Sequence, residues 1–393
     1  MTNTVIKNAR IVDGKGNVLE KGFIEFNEKE IVEISEHPLN AALEIDAAGK
    51  TVMPGMIDCH VHLAMMPVLD AFALMAGENE SVIAAKACAQ CLEFLKYGIT
   101  TIRNMGTKYD TDIHIRDMIR SGTLKGPRIL ASGLIIAITG GHGHGIALES
   151  DSVDEALKSA RKQIKKGAEI LKLMATGGVL TPGSVVGAQQ LSLEQMKAVA
   201  EEARRTGRIT GAHCIGYEGT EAAILAGVDS IEHGYMLDER LLELMAERAT
   251  YFCPTVVASR VIATSEDPHP TAVGLREKIA PIADGHLVAL RKAVEAGVKI
   301  AAGTDCGTPW NPVSRLVDEL KYYIEAGMTH MQALVSATST GAELLGIDKI
   351  TGSLEKGKMA DLVLIDGNPL KDIHALAAVE RTYRGGKLLY RRQ

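Results

Sequence analysis

The sequence has no large excess of charge of either sign and no long apolar run. Its formal net charge is −6 over 393 residues, which provides no basic face for nucleic acid or an anionic membrane. No stretch reaches the roughly 18 consecutive apolar residues of a membrane-spanning helix. Residues 1–8 lack the apolar core of a signal peptide. We therefore expect a soluble, cytoplasmic protein with a small-molecule partner and no nucleic-acid or membrane partner.

Cysteine is also scarce, with six residues scattered along the chain. This distribution is typical of reduced, buried thiols and not of a disulfide framework. Cys88 and Cys91 form a C-x-x-C pair, but they lie within a helical pattern and have no second pair. We do not expect a redox or zinc role for them.

Apolar residues are plentiful, at 46% of the chain, and they occur in short runs that alternate with amphipathic helices. Capping boxes mark two helix starts, Ser152 with Glu155 and Ser192 with Gln195. Eight units of strand and helix predict an α/β fold, a (β/α)8 TIM barrel whose functional side chains lie at the strands' C-terminal ends. The predicted strands are those at Ile57, Ile99–Ile102, Arg128–Ala131, Ile170–Leu173, Ile209–His213, Ser230–His233, Tyr251–Thr255 and Ile300–Asp305.

Both ends of the chain have a different pattern, with strand-like runs separated by turns and no helices between them. Residues 1–53 are too few to bury a good core alone, and residues 355–393 supply further strands. We predict one small β-sandwich domain built from both termini, residues 1–53 and 355–393, with the barrel at residues 54–354 inserted between them.

Two long loops interrupt the barrel pattern, Ser132–Ser150 and Ser259–Gly274. The first contains the glycine-rich stretch 140–145. Loops of this length on a barrel are expected to form the walls of an active site, and disorder is the alternative.

Polar residues stand at the ends of five predicted strands. His60 and His62 share one strand, and because side chains alternate, their imidazoles lie on the same face and can hold one divalent metal. Each residue alone has a simpler explanation, such as a packed core histidine or a turn-capping aspartate. The set as a whole favours a functional site. Its members are His60, His62, Lys172, His213, His233 and Asp305.

With these residues in place, the sequence resembles the amidohydrolase superfamily of binuclear metal hydrolases over nearly its whole length. The matching motifs are Pro54–His62, Ile170–Gly178, Ala212–Cys214, Ile231–Gly234 and Ala302–Gly307. The Lys-x-x-x-Thr-Gly-Gly stretch, the Gly-Gly-His-Gly loop and the tail at 360–369 are similar to the branch with prolidase-type and Xaa-Arg-type dipeptidases and imidazolonepropionase.

The resemblance implies a role for each strand-end residue. His60, His62 and Asp305 would hold one divalent metal, His213 and His233 the other. Zinc is the expected metal, although such ligands also accept manganese, iron or cobalt.

Lys172 would bridge the two metals. A plain lysine is protonated at neutral pH, with a reference pKa of about 10.4. The family converts this lysine to N6-carboxylysine, an anionic carbamate. A metal-bridging hydroxide would attack the substrate, and Asp305 would act as the catalytic proton shuttle.

The resemblance also implies substrate-binding residues. His142, a catalytic residue in this interpretation, and Tyr235 would touch substrate carbonyl or carboxylate oxygens, and His144 could exchange roles with His142. Arg260 and Arg315 are further candidates for binding a substrate carboxylate, and their spacing does not rank them.

The expected activity is cleavage of the C–N bond of a small dipeptide or N-acyl amino acid. Two alternatives remain open at this point: a cyclic-amide hydrolase similar to imidazolonepropionase, and a non-catalytic scaffold with a hydrolase fold. A homo-oligomer is expected because relatives are often multimeric.

Overall fold

A computed structural model describes residues 2–393. Seventeen strands are present in this part of the chain. They are β1 Thr4–Val12, β2 Val18–Phe26, β3 Ile31–Ser35, β4 Leu43–Asp46, β5 Thr51–Pro54, β6 Met56–Val61, β7 Ile99–Asn104, β8 Arg128–Leu130, β9 Ile135–Ala137, β10 Ala147–Glu149, β11 Ile170–Met174, β12 Ile209–Cys214, β13 Ser230–His233, β14 Tyr251–Cys253, β15 Leu362–Ile365, β16 Val379–Arg384 and β17 Lys387–Arg391.

Twelve α-helices accompany these strands over residues 2–393. They are α1 Ala71–Gly77, α2 Glu80–Lys96, α3 Thr111–Arg120, α4 Val153–Lys166, α5 Leu193–Arg205, α6 Tyr217–Ala226, α7 Glu239–Arg248, α8 Val256–Ala263, α9 Pro270–Glu295, α10 Leu316–Glu325, α11 His330–Ser336 and α12 Ser339–Leu344. Short 3₁₀ segments lie at Lys108–Asp110, His144–Ile146, Val313–Arg315 and Ile373–Ala377.

Both predicted capping boxes are confirmed. Ser152 caps α4 and exchanges hydrogen bonds with Glu155, and Ser192 does the same with Gln195 at the start of α5. Each box satisfies backbone N–H groups that have no partner within the helix.

The terminal segments form one eight-stranded mixed sheet. Its order is β17-β16-β15-β5-β1-β2-β3, and β4 pairs with β1. The two ends of the chain meet where β5 pairs antiparallel with β15. A separate apolar core combines residues from both ends, including Ile6, Phe26 and Leu364. The two terminal segments thus share one sheet and one apolar core.

The central strands form two parallel sheets. One contains β6-β7-β8 and the other β10-β9-β11-β12-β13-β14. Segment 299–306 lies between them and hydrogen-bonds both sheets: Ala301 N donates to Phe252 O at 2.9 Å, and Cys59 N donates to Ala302 O at 2.7 Å. On the other side, Ile170 N donates to Ala131 O at 3.2 Å, which connects β8 with β11.

The predicted strand Ile300–Asp305 is wrong as a regular strand. Its backbone makes the hydrogen bonds just described, but it forms only isolated β-bridges and no continuous ladder. Two features interrupt a regular ladder. Gly303 packs so tightly that a Cβ there would lie 2.4 Å from Cys253 Sγ, and Asp305 has a positive φ of 57°.

Both predicted long loops are shorter than expected. The stretch 132–150 contains β9, β10 and a 3₁₀ turn, because the brief apolar run at Ile135 pairs with β11 through Leu173↔Ile136. The stretch 259–274 is largely helical, since α8 ends at Ala263 and α9 begins at Pro270. Proline at the first position of a helix starts the helix and does not break it.

The six cysteines are all free, and Cys88 and Cys91 both lie in α2, as predicted. Over residues 2–393, none of the helices combines the length and apolarity needed to cross a bilayer.

Candidate active site

The predicted strand-end residues meet at the C-terminal ends of the parallel strands and line one cavity. His60 and His62 come from β6 and the residue after it, Lys172 from β11, His213 from β12 and His233 from β13. All five are at least 93% buried. Parallel strands bring their carboxyl ends to the same side, so residues far apart in sequence become neighbours.

The sixth residue, Asp305, reaches the same point from segment 299–306. Its Oδ1 lies 3.2 Å from His62 Nε2 and 3.4 Å from His60 Nε2. The ring centroid of His233 is 4.9 Å from that of His60 and 4.6 Å from that of His213. These distances bring all the imidazoles around one small volume.

The imidazoles of the site are arranged to present lone pairs. Burial lowers the pKa of His60, His213 and His233 well below the ordinary value, which keeps these rings neutral. His60 Nδ1 donates to Glu232 Oε2 at 2.7 Å, so its Nε2 faces the cavity as an acceptor. Neutral imidazoles fixed by a partner on the other ring nitrogen are the form that binds metals.

Lys172 is the least satisfied group of the site. Its Nζ is buried without a hydrogen-bond partner among the described residues, and the same holds for His213 Nε2. Burial lowers the pKa of Lys172, which weakens its preference for the charged form. Orphaned buried donors are costly, and a bound group would give both atoms a partner.

The donor set of this cavity fits divalent cations. His60, His62 and Asp305 have ligand atoms within 4.8 Å of one another, and His213 and His233 could hold a second ion beside them. Nitrogen and carboxylate donors in this proportion suit zinc and similar metals.

Local backbone strain occurs at the same place. His233 and Thr255 have positive φ angles of 70° and 55°, as Asp305 does. This conformation is uncommon for residues other than glycine, and three of its instances in this protein cluster at the cavity. The His233 ring is held there by a 2.7 Å hydrogen bond between its Nδ1 and Thr255 Oγ1.

Comparison with known protein families identifies the class of this centre. The family model described as "Amidohydrolase family" matches residues 51–389. The chain belongs to the amidohydrolase family. It is therefore a hydrolase of carbon–nitrogen bonds, as the resemblance of its motifs predicted.

Two sequence relatives place this amidohydrolase more closely. It is 29% identical to ochratoxinase from Aspergillus niger, over 98% of this chain and 86% of the relative. It is 23% identical to imidazolonepropionase from Porphyromonas gingivalis, over 95% of this chain and 89% of the relative.

Two solved structures agree with this placement. One is a Xaa-Pro dipeptidase with methionine bound in its active site, at TM-score 0.91 and 33% identity, covering 99% of the amidohydrolase chain and 100% of the dipeptidase. The other is a prolidase complexed with N-methylphosphonate-L-proline, at TM-score 0.90 and 29% identity, covering 100% of both chains. The amidohydrolase fold, of the TIM-barrel class, is thereby established for this chain.

The predicted substrate-binding residues of this amidohydrolase separate into two groups. His142 and Tyr235 are buried and line the cavity with the strand-end residues. The His142 ring centroid is 4.6 Å from that of His213, and its Nδ1 is 2.8 Å from Thr181 Oγ1. His144 is exposed and does not line that cavity.

The two arginines considered for carboxylate binding also lie outside the cavity. Arg260 pairs with Asp284 at 3.1 Å. Arg315 pairs with Asp318 at 2.8 Å. Asp284 lies on the neighbouring helix α9, and Asp318 lies one helical turn after Arg315.

The sequence interpretation missed a buried ion pair behind His60. Arg103 donates to both Glu232 oxygens at 2.8 Å, and neither side chain is exposed. Glu232, His60 and Cys253 also have ligand atoms within 4.8 Å of one another, but Arg103 already engages both carboxylate oxygens. Glu232 therefore orients His60. The position of Glu232 in the Ile-Glu-His-Gly motif could have marked it as a candidate site residue.

A second missed residue is His286, which lies beneath Tyr235. The two rings stack with centroids 3.9 Å apart at 26°. His286 Nε2 donates to Pro254 O at 2.7 Å, and Nδ1 is 2.9 Å from Ser259 Oγ. Nothing in the sequence near His286 indicates this, because the contact joins α9 to the turn after β13.

An outer vestibule, lined by α1, the loop after β11 and α9, adjoins the cavity. Three residues, Phe72, Val179 and Leu180, line both spaces. We call this outer space the vestibule; His144 and Lys278 also line it. Apart from the proposed metal donors, the inner cavity is walled mainly by apolar side chains.

Proposed function

We propose that this amidohydrolase is a binuclear, zinc-dependent enzyme that cleaves the C–N bond of a small dipeptide or N-acyl amino acid and releases the C-terminal residue. The observation that carries the proposal is the convergence of the strand-end donors around the unpartnered Nζ of Lys172. The likeness to a Xaa-Pro dipeptidase and to a prolidase supports the choice of substrate class.

In this proposal, His60, His62 and Asp305 would hold one metal, and His213 and His233 would hold the other. Lys172, carboxylated to N6-carboxylysine, would bridge them. The carboxylation turns the buried amine from a potential cation into an anion next to two cations, which removes the cost of an unpartnered buried donor.

The chemistry is divided between the metals and the chain. When bound, two divalent cations lower the pKa of a water molecule towards about 7 and polarise a carbonyl group. Asp305 accepts the proton of the attacking water and delivers it to the departing amine, because its carboxylate stands at the centre of the site beside His60 and His62.

His142 and Tyr235 orient the substrate. Burial lowers the pKa of His142 to about 3, so the ring is neutral at physiological pH and offers a hydrogen bond without a charge. Burial raises the pKa of Tyr235, so its hydroxyl stays protonated and can donate to a substrate oxygen. Both side chains line the cavity beside the proposed metals.

The architectural part of the proposal extends the established fold. We propose that the bonds of segment 299–306 and of Ala131 close the parallel strands into a complete (β/α)8 ring at residues 54–354. We propose that residues 1–53 and 355–393 form a β-sandwich, supported by the core they share. A homo-oligomer stays a prediction.

A cyclic-amide hydrolase is the second candidate. The sequence relationship to an imidazolonepropionase supports it, and the same donor set would serve a ring amide. Membership of a hydrolase family removes the support for a non-catalytic scaffold.

The two candidates are separated by one assay. A library of dipeptides, N-acyl amino acids, lactones and cyclic amides should be incubated with the zinc-loaded enzyme and with a chelator-treated sample. We expect dipeptides or N-acyl amino acids to be hydrolysed only by the loaded enzyme. Turnover of cyclic amides or lactones alone would contradict the dipeptidase proposal.

A further inference from the structure

Release of a C-terminal residue requires the site to bind a negatively charged group of the substrate. The substrate then carries a free carboxylate, and an anion entering an apolar cavity needs a cationic or hydrogen-bonding partner. The inner cavity provides one basic residue of the Lys/Arg type, Lys172, which the proposed function commits to the metals. If the proposed function holds, a further cation beside this cavity would meet the need for a charged partner.

Lys278 is the one lysine or arginine among the described residues that line the vestibule. It projects from α9 towards the loop after β11, where its Nζ donates to Val179 O and Thr181 O, both at 3.3 Å. These are long hydrogen bonds to neutral carbonyls. An ammonium group has three donors, and no carboxylate of the described chain pairs with this one.

Lys278 is also connected to the inner cavity. Thr181 accepts from Lys278 through its carbonyl, and its hydroxyl is 2.8 Å from His142 Nδ1. The charge of Lys278 contributes to the lowered pKa of His142, after burial and the nearer charges. The ammonium therefore lies beside the residue proposed to orient the substrate, on the vestibule side.

Three arginines of this region line neither the inner cavity nor the vestibule. Arg260 and Arg315 bind Asp284 and Asp318. Arg276, close to Lys278 on α9, donates to Asp267 O at 2.7 Å and lines neither space.

Most of the remaining vestibule wall is apolar, and Asp70, His144, Thr181 and Thr271 also line it. Leu69, Phe72, Leu180 and Leu275 line it, and most of this surface joins a buried apolar cluster that includes Tyr235. An apolar substrate side chain would bury its surface against these apolar residues, where a polar one would lose hydration.

We propose that Lys278 binds the free carboxylate of the substrate, and that the enzyme selects dipeptides or N-acyl amino acids with apolar side chains. This inference rests on the proposed function and specifies its substrate. The ammonium would exchange its two long carbonyl contacts for a charge-assisted bond to the carboxylate.

The test compares each library substrate that is hydrolysed with its C-terminal carboxamide. Wild-type enzyme should prefer the free acid. Lys278→Met should lower kcat/KM for the acid by about 10- to 100-fold, the range of one charge-assisted hydrogen bond. It should change kcat/KM for the carboxamide less than about 3-fold, since that substrate never used the charge. Lys278→Arg should retain most of the preference for the acid.

Two matched variants complete the design. Lys292→Met removes an exposed lysine from the same helix. Arg260→Met removes an arginine considered for carboxylate binding in the sequence analysis. Neither variant should change the ratio of kcat/KM for the acid to kcat/KM for the carboxamide. In Lys278→Met, an equal loss of kcat/KM for the acid and the carboxamide would show that Lys278 only holds the loop. Unchanged kcat/KM for both substrates would also overturn the inference. If wild-type enzyme hydrolyses no acyclic amide, the proposed function itself fails and the inference falls with it.

Discussion

At the residue scale, the site depends on close packing around His142 as much as on the proposed metal donors. A Cβ added at Gly178 would lie 2.3 Å from His142 Nε2, so this position accepts only glycine without displacing the ring. Gly178 follows Lys172 in the Lys-x-x-x-Thr-Gly-Gly motif, and the contact gives a physical reason for the second glycine.

Gly178→Ala should therefore displace His142 and leave the metals in place. We expect kcat/KM to fall by about 10- to 100-fold, as misplacement by about 1 Å can do, with unchanged metal content. Kinetics and elemental analysis measure the two quantities. Gly77→Ala, where an added Cβ meets nothing within 4 Å, serves as the control. Full activity in Gly178→Ala would mean that His142 has no role in catalysis.

Lys172→Ala tests the bridging lysine. Metal content and kcat/KM should fall together, the latter by more than about 100-fold, since even partners that only orient a ligand are worth 10- to 100-fold. Short carboxylic acids should restore part of the activity by replacing the carbamate. Lys321→Ala, at an exposed lysine of α10, should behave as wild type. Retention of both metals by Lys172→Ala would exclude the bridging role.

The sequence predicted these donor positions because each stands at a strand end within a short motif. The motif that contains Glu232 marks it as a candidate site residue but does not show that its partner is His60, and nothing indicates His286 beneath Tyr235. Both contacts join segments that are distant in sequence, and their geometry depends on how strands and helices pack.

At the scale of elements, the buried ion pair ties strands together behind the site. Arg103 of β7 binds Glu232 of β13 and donates to the carbonyl of Cys59 on β6. The network therefore couples both parallel sheets to the position of the His60 ring.

Glu232→Gln should be strongly destabilising because it leaves the Arg103 charge buried and unpaired. A loss of about 3–5 kcal/mol in the free energy of unfolding is expected for a broken buried pair, measured by denaturant titration. Adding Arg103→Met should recover part of this loss. Glu343→Gln breaks the exposed pair with Lys299 and should cost less than about 1 kcal/mol. Equal effects of the buried and exposed variants would contradict this account.

Element prediction was accurate where an amphipathic pattern was bounded by a capping box, as for α4 and α5. It was wrong where the backbone departed from the pattern. Segment 299–306 has strand-like composition, but a close approach at Gly303 and the positive φ of Asp305 prevent a regular ladder. The loop at 259–274 is shorter than predicted because His269 and Pro270 begin helix α9 there.

At the scale of the whole molecule, the terminal sheet is fastened to the central domain near the starts of the strands, opposite the site. Asp361 accepts from Arg128 at 2.7 Å and from Thr351 at 2.9 Å, and its side chain is fully buried. Thr382 of β16 also donates to the carbonyl of Leu95 in α2. These bonds connect the two cores that the sequence pattern had separated.

Asp361→Asn should destabilise the protein by about 2–3 kcal/mol, somewhat less than a fully buried pair because Arg128 is 17% exposed. The kcat/KM of the folded enzyme should not change, since the pair lies away from the cavity. Asp366→Asn, whose partner Arg392 is exposed, provides the control with little effect. Loss of activity without loss of stability would contradict this separation of roles.

The most direct test of the central claim is to titrate metal-free enzyme with zinc and follow both bound metal and hydrolysis of the best library substrate. Two equivalents per chain should bind, and activity should reach its maximum at the second. Activity that is complete with one equivalent, or that persists after the metal is removed, would contradict the binuclear centre.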